Sequence, residues 1–320
     1  MQLTQERFAA DLAKVWPEGG RDPALRLGIA VSGGPDSLAL LLLAHAARPD
    51  AVCAATVDHG LRAESAGEAV QVARICAERG IAHEVLTITV AEGNVQSQAR
   101  EARYGALSEW MRRREVAALA TAHHADDQAE TLLMRLNRAS GVAGLAGVRE
   151  RGFVPAEGDA QLLIRPLLGW RKAELADVVA QAGLEPADDP SNRNQAYDRV
   201  RMRQALAQVD WLDVHALAAS AQYLAEADTA LEWAAEREYG ARVQREGLGM
   251  TYRPAAPRAI ALRVVARIVE EIDGSAPRGS AVARLFDSLL ARQPAMLGDV
   301  MARPMPGGWA FSRAPKRRAI

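Results

Sequence analysis

The chain has 320 residues, of which 49% are hydrophobic and 25% charged, and its formal net charge is -1. This length allows one large domain and a smaller one, each with a well-buried core. The near-neutral charge excludes a uniformly basic nucleic-acid-binding chain, so any RNA contact must come from local basic patches.

The amino-terminal segment MQLTQERFAADLAKVW contains acidic residues and no long apolar stretch. The longest apolar run, 38–47, already includes His45 and is too short to span a bilayer. We therefore expect no signal peptide and no membrane anchor, and we predict a cytoplasmic protein. Cys53 and Cys76 lack the C-x-x-C spacing of metal or redox sites, and we predict that both are core residues.

Apolar strands and amphipathic helices alternate from residue 27 to about residue 185, which is typical of a doubly wound parallel sheet with helices on both faces. The predicted strands are 27–31, 51–57, 83–89, 116–121 and 162–165. The predicted helices between them are 37–47, 65–79, 95–114, 126–138 and 171–182. We predict an α/β catalytic domain over 1–209, with a short N-terminal helix.

Ala-rich helical sequence follows, at 211–238, 257–272 and 280–291. Strand character disappears there, apart from a short extended tail near 297–313. We predict a mainly helical domain over 210–320 that interacts with RNA.

The segment SGGPDS, residues 32–37, joins the first predicted strand to the first helix of the sheet. A helix start offers unpaired backbone N–H groups and the positive end of the helix dipole, which together bind anions. Gly33 and Gly34 allow a phosphate to approach the main chain, and Ser32 and Ser37 add hydroxyl donors. Asp36 would repel a phosphate unless a cation lay between them, so it predicts Mg²⁺.

This segment has neither the lysine of a Walker loop nor a G-x-G-x-x-G fingerprint. It resembles instead the PP-loop of the ATP pyrophosphatases, which cleave ATP between the α and β phosphates. A plain Gly-Pro turn capped by Asp36 is the alternative. The predicted ATP-binding residues are Ser32, Gly33, Gly34, Pro35, Asp36 and Ser37.

Polar residues also follow two other predicted strands. Asp58, His59 and Arg62 lie in TVDHGLR, residues 56–62, where a simple polar turn is the alternative. The segment ATAHHADDQAETLLMRL, residues 120–136, places His123 four residues before Asp127, and Asp126 four before Glu130. Helix capping explains one such pair, and a zinc site is a competing interpretation, although the H-E-x-x-H order is absent.

Six ordered blocks together resemble the tRNA(Ile)-lysidine synthetase family, a branch of the N-type PP-loop ATP pyrophosphatases. They are SGGPDS at 32–37, VDHGLR at 57–62, QAREARY at 98–104, AHHADDQAET at 122–131, GVAGLAGV at 141–148 and DDPSN at 188–192. The segment RVRMR at 199–203 departs from the family's usual Arg-Asn-x-Ile-Arg, so position 200 takes no role from the resemblance. The chain looks like a shorter member, without the further carboxyl-terminal domain of longer relatives.

The resemblance implies ATP-dependent ligation of L-lysine to C2 of the wobble cytidine, position 34, of the CAU-anticodon tRNA(Ile). ATP would adenylate the C2 oxygen with release of pyrophosphate, and lysine would then displace AMP. The implied cofactors are ATP and Mg²⁺ on Asp36. The implied partners are this tRNA and L-lysine, with a homodimer as a candidate assembly and no membrane.

The implied catalytic residues are Asp36, Arg103, His123 and Asp127. Asp127 and Glu130 would bind the lysine ammonium and accept its proton, while Arg103 would bind the polyphosphate or the reacting base. A solvated helix face is the alternative for Arg103. The candidate tRNA contacts are Arg135, Arg138, Arg199, Arg201 and Arg203, each of which could be an ordinary surface arginine.

Two other PP-loop activities compete with this interpretation. A tRNA thiolase would need catalytic or cluster-binding cysteines, for which Cys53 and Cys76 are poorly placed. An amide ligase fed by glutamine would need a glutaminase domain, which the sequence does not show. A nucleotide-sensing or RNA-binding module without catalysis is the alternative from another class.

Overall fold

The computed structural model describes residues 2–58, 63–88, 95–155, 158–187 and 198–314. These residues form two compact units, which divide between Ala225 and Glu226. The division therefore lies further along the chain than the predicted boundary at 209/210. Across the ranges described, no helix combines the length and the apolar character needed to cross a membrane.

The first unit contains a six-stranded sheet in the order β3-β2-β1-β4-β6-β5. Every neighbouring pair is parallel except β5 and β6, which form an antiparallel edge. The strands are β1 Arg26–Ala30, β2 Val52–Asp58, β3 Ala82–Thr87, β4 Val116–Ala120, β5 Arg151–Phe153 and β6 Leu162–Ile164. The predicted doubly wound parallel sheet is confirmed, and the short β5 was not predicted.

Helices cover both faces of this sheet. They are α1 Gln2–Val15, α2 Pro17–Arg21, α3 Pro35–Ala47, α4 Ala63–Glu78, α5 Val95–Arg114, α6 Ala125–Leu136, α7 Val142–Leu145, α8 Lys172–Gln181 and α9 Asp198–Ala207. The long α10, Val214–Arg242, runs across the division between the units.

Alternate residues of the central strands enter two different cores. Ala54 of β2 packs into the core that contains α1, α3 and α8, whereas Cys53 and Ala55 pack into the core that contains α5. A strand that is buried on both faces is apolar at consecutive positions, which explains the apolar runs in the sequence. Gly28 of β1 is needed for this packing, because a Cβ there would lie 2.8 Å from the Trp110 ring.

The order of the strands determines where a ligand can bind. The chain passes from β1 to β2 on one side, and β4 lies against β1 on the other side. The strand order therefore reverses between β1 and β4, and the crevice at the carboxyl ends of two such strands is the usual ligand site. The segments that follow β1 and β4 are the SGGPDS turn and the start of α6.

The second unit combines helices with a five-stranded antiparallel sheet in the order β7-β8-β11-β10-β9. Its remaining elements are β7 Val243–Glu246, β8 Gly249–Tyr252, α11 Arg258–Asp273, α12 Gly279–Leu290, β9 Ala295–Leu297, β10 Val300–Met305 and β11 Gly308–Arg313. The helices and an extended segment near 297–313 were predicted. The prediction that strands are otherwise absent after residue 210 was wrong. β7 and β8 were missed because each has four residues and β7 is largely exposed, so neither has a readable apolar alternation.

Candidate functional site

The turn that precedes α3 is supported by its own serine hydroxyls. Ser37 Oγ accepts a hydrogen bond from Ser32 N at 3.1 Å and donates to Gly34 O at 3.0 Å. Gly33 has φ +85°, a left-handed conformation that glycine adopts without strain. No described side chain caps the helix at Gly34, so the first N–H groups of α3 are available to an anion.

Asp36 lies in the first turn of α3 and contains an unsatisfied oxygen. Its Oδ1 is buried and has no hydrogen-bond partner among the residues that the structure describes, while Oδ2 lies 3.5 Å from His124 Nε2. A buried carboxylate oxygen without a partner is costly, and a bound cation would satisfy it. Asp36 therefore fits the predicted magnesium ligand, since Mg²⁺ commonly uses one or two carboxylates together with phosphate oxygens.

His124 connects the two turns. It is the N-cap of α6, with Nδ1 accepting from Asp127 N at 3.4 Å and its own N–H donating to Asp127 Oδ2 at 3.2 Å. Its Nε2 is 3.5 Å from both Asp36 Oδ2 and Asp127 Oδ2. Burial alone would lower the pKa of His124, but the hydrogen bond to Asp36 and the surrounding carboxylates raise it.

The sequence predicted a role for His123 and none for His124. The signal for His124 was its position directly before the helix, with an acidic residue three positions later, as in a capping box. His123 Nδ1 lies 3.1 Å from Thr121 Oγ1. Burial, with the charges of Arg165, Arg199 and Arg100, lowers the pKa of His123 to about 4, so its ring is neutral near pH 7.

The two carboxylates of the predicted pair Asp126 and Glu130 have different partners. Asp126 accepts hydrogen bonds from the Arg171 guanidinium, the closest at 3.1 Å, and from Lys172 N at 2.8 Å. Burial would raise the pKa of Asp126, but these hydrogen bonds lower it. Asp126 therefore attaches the start of α6 to the start of α8.

Glu130 is only 1% exposed and is bound by two arginines of α9. Its Oε2 accepts from Arg199 Nε at 3.0 Å, and its Oε1 accepts from Arg203 Nε at 2.7 Å. Arg199 Nη2 also lies 3.7 Å from Asp127 Oδ1. The structure thus brings two of the predicted tRNA arginines to the two carboxylates that were predicted to bind lysine.

The other predicted tRNA arginines lie at the surface. Arg138 Nη2 donates to Asp198 Oδ2 at 2.8 Å, and Arg201 pairs with the other oxygen of the same carboxylate. Arg135 is exposed on α6. Val200, where the sequence departs from the family pattern, is buried and contributes apolar packing instead of a polar contact.

The predicted Arg103 lies on α5 beside a second arginine. The guanidinium carbons of Arg100 and Arg103 are 5.0 and 5.1 Å from the centroid of the Tyr104 ring.

Arg165 follows β6 and was missed, because the sequence shows only one arginine after an apolar run. It is 9% exposed, donates to Arg149 O at 2.7 Å, and its pKa is lowered by burial.

The segment at 141–148 is hydrogen-bonded to α6 through the Gln128 side chain. The Gln128 side chain donates to Val148 O at 2.8 Å and accepts from Val148 N at 2.7 Å. Gly147, with φ +62°, lies against this amide, and a Cβ there would be 2.4 Å from Gln128 Oε1. This glycine therefore allows the loop to close on the helix.

Asp58 is the last residue of β2, while His59, Arg62 and the DDPSN block at 188–192 lie outside the described residues. Within the described ranges, no three His, Cys, Asp or Glu side chains form a group that could hold a metal ion.

Cys53 and Cys76 are buried, and burial raises the pKa of each thiol to about 11. Both are therefore protonated core residues near pH 7.

A family model described as "PP-loop domain" matches residues 4–210, which include the whole sheet and both turns. The U34-tRNA thiolase NcsA from Methanococcus maripaludis has a similar structure, with a TM-score of 0.55, 17% identity, and coverage of 69% of this chain and 78% of that one. At this identity the likeness shows the fold alone. The chain is thus a PP-loop protein that uses ATP.

Closer relatives identify the branch. A tRNA(Ile)-lysidine synthase from Novosphingobium aromaticivorans is 50% identical over 98% of this chain and 94% of its own length. Another from Zymomonas mobilis is 45% identical over 92% of this chain and 90% of its own. The chain belongs to the tRNA(Ile)-lysidine synthase family.

Proposed function

We propose that this protein joins L-lysine to C2 of the wobble cytidine, position 34, of the CAU-anticodon tRNA(Ile). The reaction forms lysidine through an adenylated tRNA and consumes one ATP. The observation that carries this proposal is the position of Asp36 at the start of α3: its Oδ1 is buried without a described partner, and its Oδ2 lies 3.5 Å from His124, the N-cap of α6. The turn proposed to bind phosphate and the carboxylate of Asp127 are thereby adjacent, as adenylation followed by capture of an amine requires.

In the first step the C2 oxygen of cytidine attacks the α-phosphorus of ATP, and pyrophosphate leaves. The N–H groups at the start of α3 and the Gly33–Gly34 main chain bind the phosphates. Magnesium, when bound to Asp36, supplies positive charge that neutralises the departing pyrophosphate. Arg103, which carries its charge at any working pH, would bind the polyphosphate or the base.

In the second step the lysine ε-amine attacks C2, the bond from C2 to the AMP oxygen breaks, and a proton leaves the nitrogen. Free lysine has a side-chain pKa of about 10.4, so a base must take this proton. Asp127, whose side chain is 15% exposed, is proposed to bind the ammonium and accept the proton. Glu130 would contribute negative charge close to Asp127 and keep Arg199 and Arg203 in place.

His123 is proposed to orient the base or a phosphate as a neutral ring, consistent with its low pKa. The proposed tRNA contacts are the five arginines Arg135, Arg138, Arg199, Arg201 and Arg203. Arg135 lies on α6, Arg138 follows that helix, and the other three lie on α9. Arg199 and Arg203 contact Glu130, one of the two carboxylates proposed to bind lysine. We also propose that the protein acts in the cytoplasm, where its tRNA substrate is found, and as a homodimer.

The test is incubation of the protein with ATP, Mg²⁺, labelled lysine and tRNA transcripts. We expect label in the CAU isoleucine transcript and none in the same transcript with uridine at the wobble position. Pyrophosphate release with the first transcript should precede incorporation of lysine. Absence of label from every transcript, with the folded protein at high concentration, would overturn the proposal.

A further inference from the structure

An open groove of about 570 Å³ lies on the second unit, between α10 and the segment after β8. Its volume falls within the range of about 300–1,000 Å³ that is usual for small-molecule sites. Trp233 and Arg237 line it from α10, and Ala256 lines it from the other side. Trp233 is 61% exposed, although an indole is one of the larger apolar surfaces that a protein normally buries.

The Trp233 ring is already arranged for stacking. The guanidinium carbon of Arg237, one helical turn later on the same face, lies 5.0 Å from the ring centroid. The guanidinium covers one face of the indole, and the large exposed area leaves room for a planar group on the other. Stacking of bases on aromatic rings is the usual way in which proteins bind unpaired nucleotides.

The charge at the groove is positive. Arg242 also lines it, and the exposed Arg253, which is not part of the lining, has its main chain beside that of Arg242, because Arg253 N donates to Arg242 O at 3.2 Å. No carboxylate of the described residues forms an ion pair with Arg237, Arg242 or Arg253. The acid in the lining, Glu238, accepts hydrogen bonds from Tyr252 Oη and from two backbone N–H groups, the closest at 2.8 Å.

From this geometry we infer that the Trp233–Arg237 groove binds an unpaired nucleotide of the tRNA, other than the wobble cytidine, by stacking its base on the indole. Arg242 and Arg253 bind the neighbouring phosphates. This inference rests on the proposed function for the identity of the RNA. An exposed aromatic ring with three unpaired cations suits a single-stranded polyanion better than an apolar protein surface, which would leave those cations buried without partners.

The test compares Trp233→Leu with Trp233→Phe, which keeps an aromatic ring, and with Tyr223→Leu. Tyr223 is a matched control, because it is 69% exposed on the same helix but does not line the groove. Affinity is measured for the tRNA transcript, for a single-stranded hexanucleotide and for the duplex of the same sequence. We expect W233L to weaken binding of the transcript and of the single strand about tenfold, which corresponds to about 1.4 kcal/mol.

W233F and Y223L should bind within about threefold of the wild type, and the duplex should respond to none of the variants. Equal loss with the duplex, equal loss in Y223L, or unchanged RNA affinity in W233L would overturn the inference. If W233L instead dissociates a dimer while RNA affinity stays the same, the groove is an interface between copies and the inference is wrong.

Lysine transfer separates this inference from the proposed function. In W233L the KM for tRNA should rise about tenfold while kcat stays within twofold of the wild type. If the wild-type protein transfers no lysine and W233L still loses RNA affinity, the proposed function fails and the groove inference stands.

Discussion

The turns that begin α3 and α6 lie at the same edge of the sheet, but they satisfy their polar groups in different ways. The α3 turn is made of small residues and main chain, and it leaves helix N–H groups and one Asp36 oxygen without described partners. At the α6 turn, polar groups pair with one another: the His124 and Asp127 side chains each accept from the other residue's main-chain N–H, Asp126 pairs with Arg171, and Glu130 pairs with two arginines.

The α3 turn therefore has polar groups that a ligand can satisfy, whereas the polar groups of the α6 turn are already satisfied by other residues of the protein. Substitutions at the α3 turn should therefore affect ligand binding and chemistry more than stability. Substitutions at the α6 turn should affect stability as well, because each removes a partner from a charged or buried group.

The largest expected effect is that of Asp36→Asn. Loss of the charge that holds Mg²⁺ should lower the rate of tRNA-dependent pyrophosphate release by at least about 100-fold, the scale of a lost electrostatic contact in a transition state. The melting temperature should change little, because Oδ1 has no protein partner to lose and Oδ2 makes only the 3.5 Å contact with His124 Nε2. Asp50→Asn, an exposed acid beyond the end of α3, is the control. A D36N variant with normal activity would contradict the assignment of the α3 turn to ligand binding.

The next largest effect is expected for Glu130→Gln, on α6. The change weakens the hydrogen bonds to Arg199 and Arg203, and we expect a loss of about 2 kcal/mol in the free energy of unfolding, measured in urea. Asp198→Asn removes a carboxylate that also pairs with two arginines but is exposed, so its effect on the free energy of unfolding should be much smaller than that of E130Q.

In the folded E130Q protein, the lysine concentration needed for half-maximal rate should rise while pyrophosphate release persists. Loss of pyrophosphate release would instead assign Glu130 to adenylation and contradict its proposed part in the lysine step.

Two glycines with positive φ extend the comparison: Gly33 lies in the α3 turn, and Gly147 lies in the loop that packs against α6. Gly147→Ala should cost about 2 kcal/mol, because its Cβ would displace the Gln128 amide in addition to the left-handed strain. Gly33→Ala has the same kind of strain but no atom closer than 3.6 Å, so about 1 kcal/mol is expected. Thermal unfolding measures both, with Gly169→Ala, at a position without positive φ and with no atom within 4 Å of the added Cβ, as the neutral control. A G33A protein less stable than G147A would reverse the comparison.

The smallest effect concerns pH. His123 has its pKa lowered to about 4 in the folded protein, below the value near 6.5 of an unfolded histidine, so the unfolded chain binds more protons between these values. Its contribution to stability is present above pH 6.5 and is lost as the pH falls towards 4. Between pH 7 and pH 6 the loss should be under about 1 kcal/mol. The difference in urea stability between wild type and His123→Gln should shrink over this interval, and a constant difference would contradict the assignment.

Local sequence features predicted a large part of this arrangement. The apolar runs of β1 and β4, and the glycines of the turn at 32–37, depend on neighbouring residues alone, and the structure has both strands and the turn where the pattern placed them. The short strands β7 and β8 were missed, since four residues carry too little periodicity to be read. His124 was missed because two adjacent histidines look alike until the exact start of the helix is known.

By itself, the sequence determined the class of fold, the position of the phosphate-binding turn and the set of charged residues near it, because these follow from spacing along the chain. Only the tertiary structure decided which of those charges meet. Arg199 and Arg203 bind Glu130 across separations of 69 and 73 residues, and His124 approaches Asp36 because β4 is placed beside β1. Contacts of this kind depend on strand order and on desolvation, and neither is encoded in any short segment of the chain.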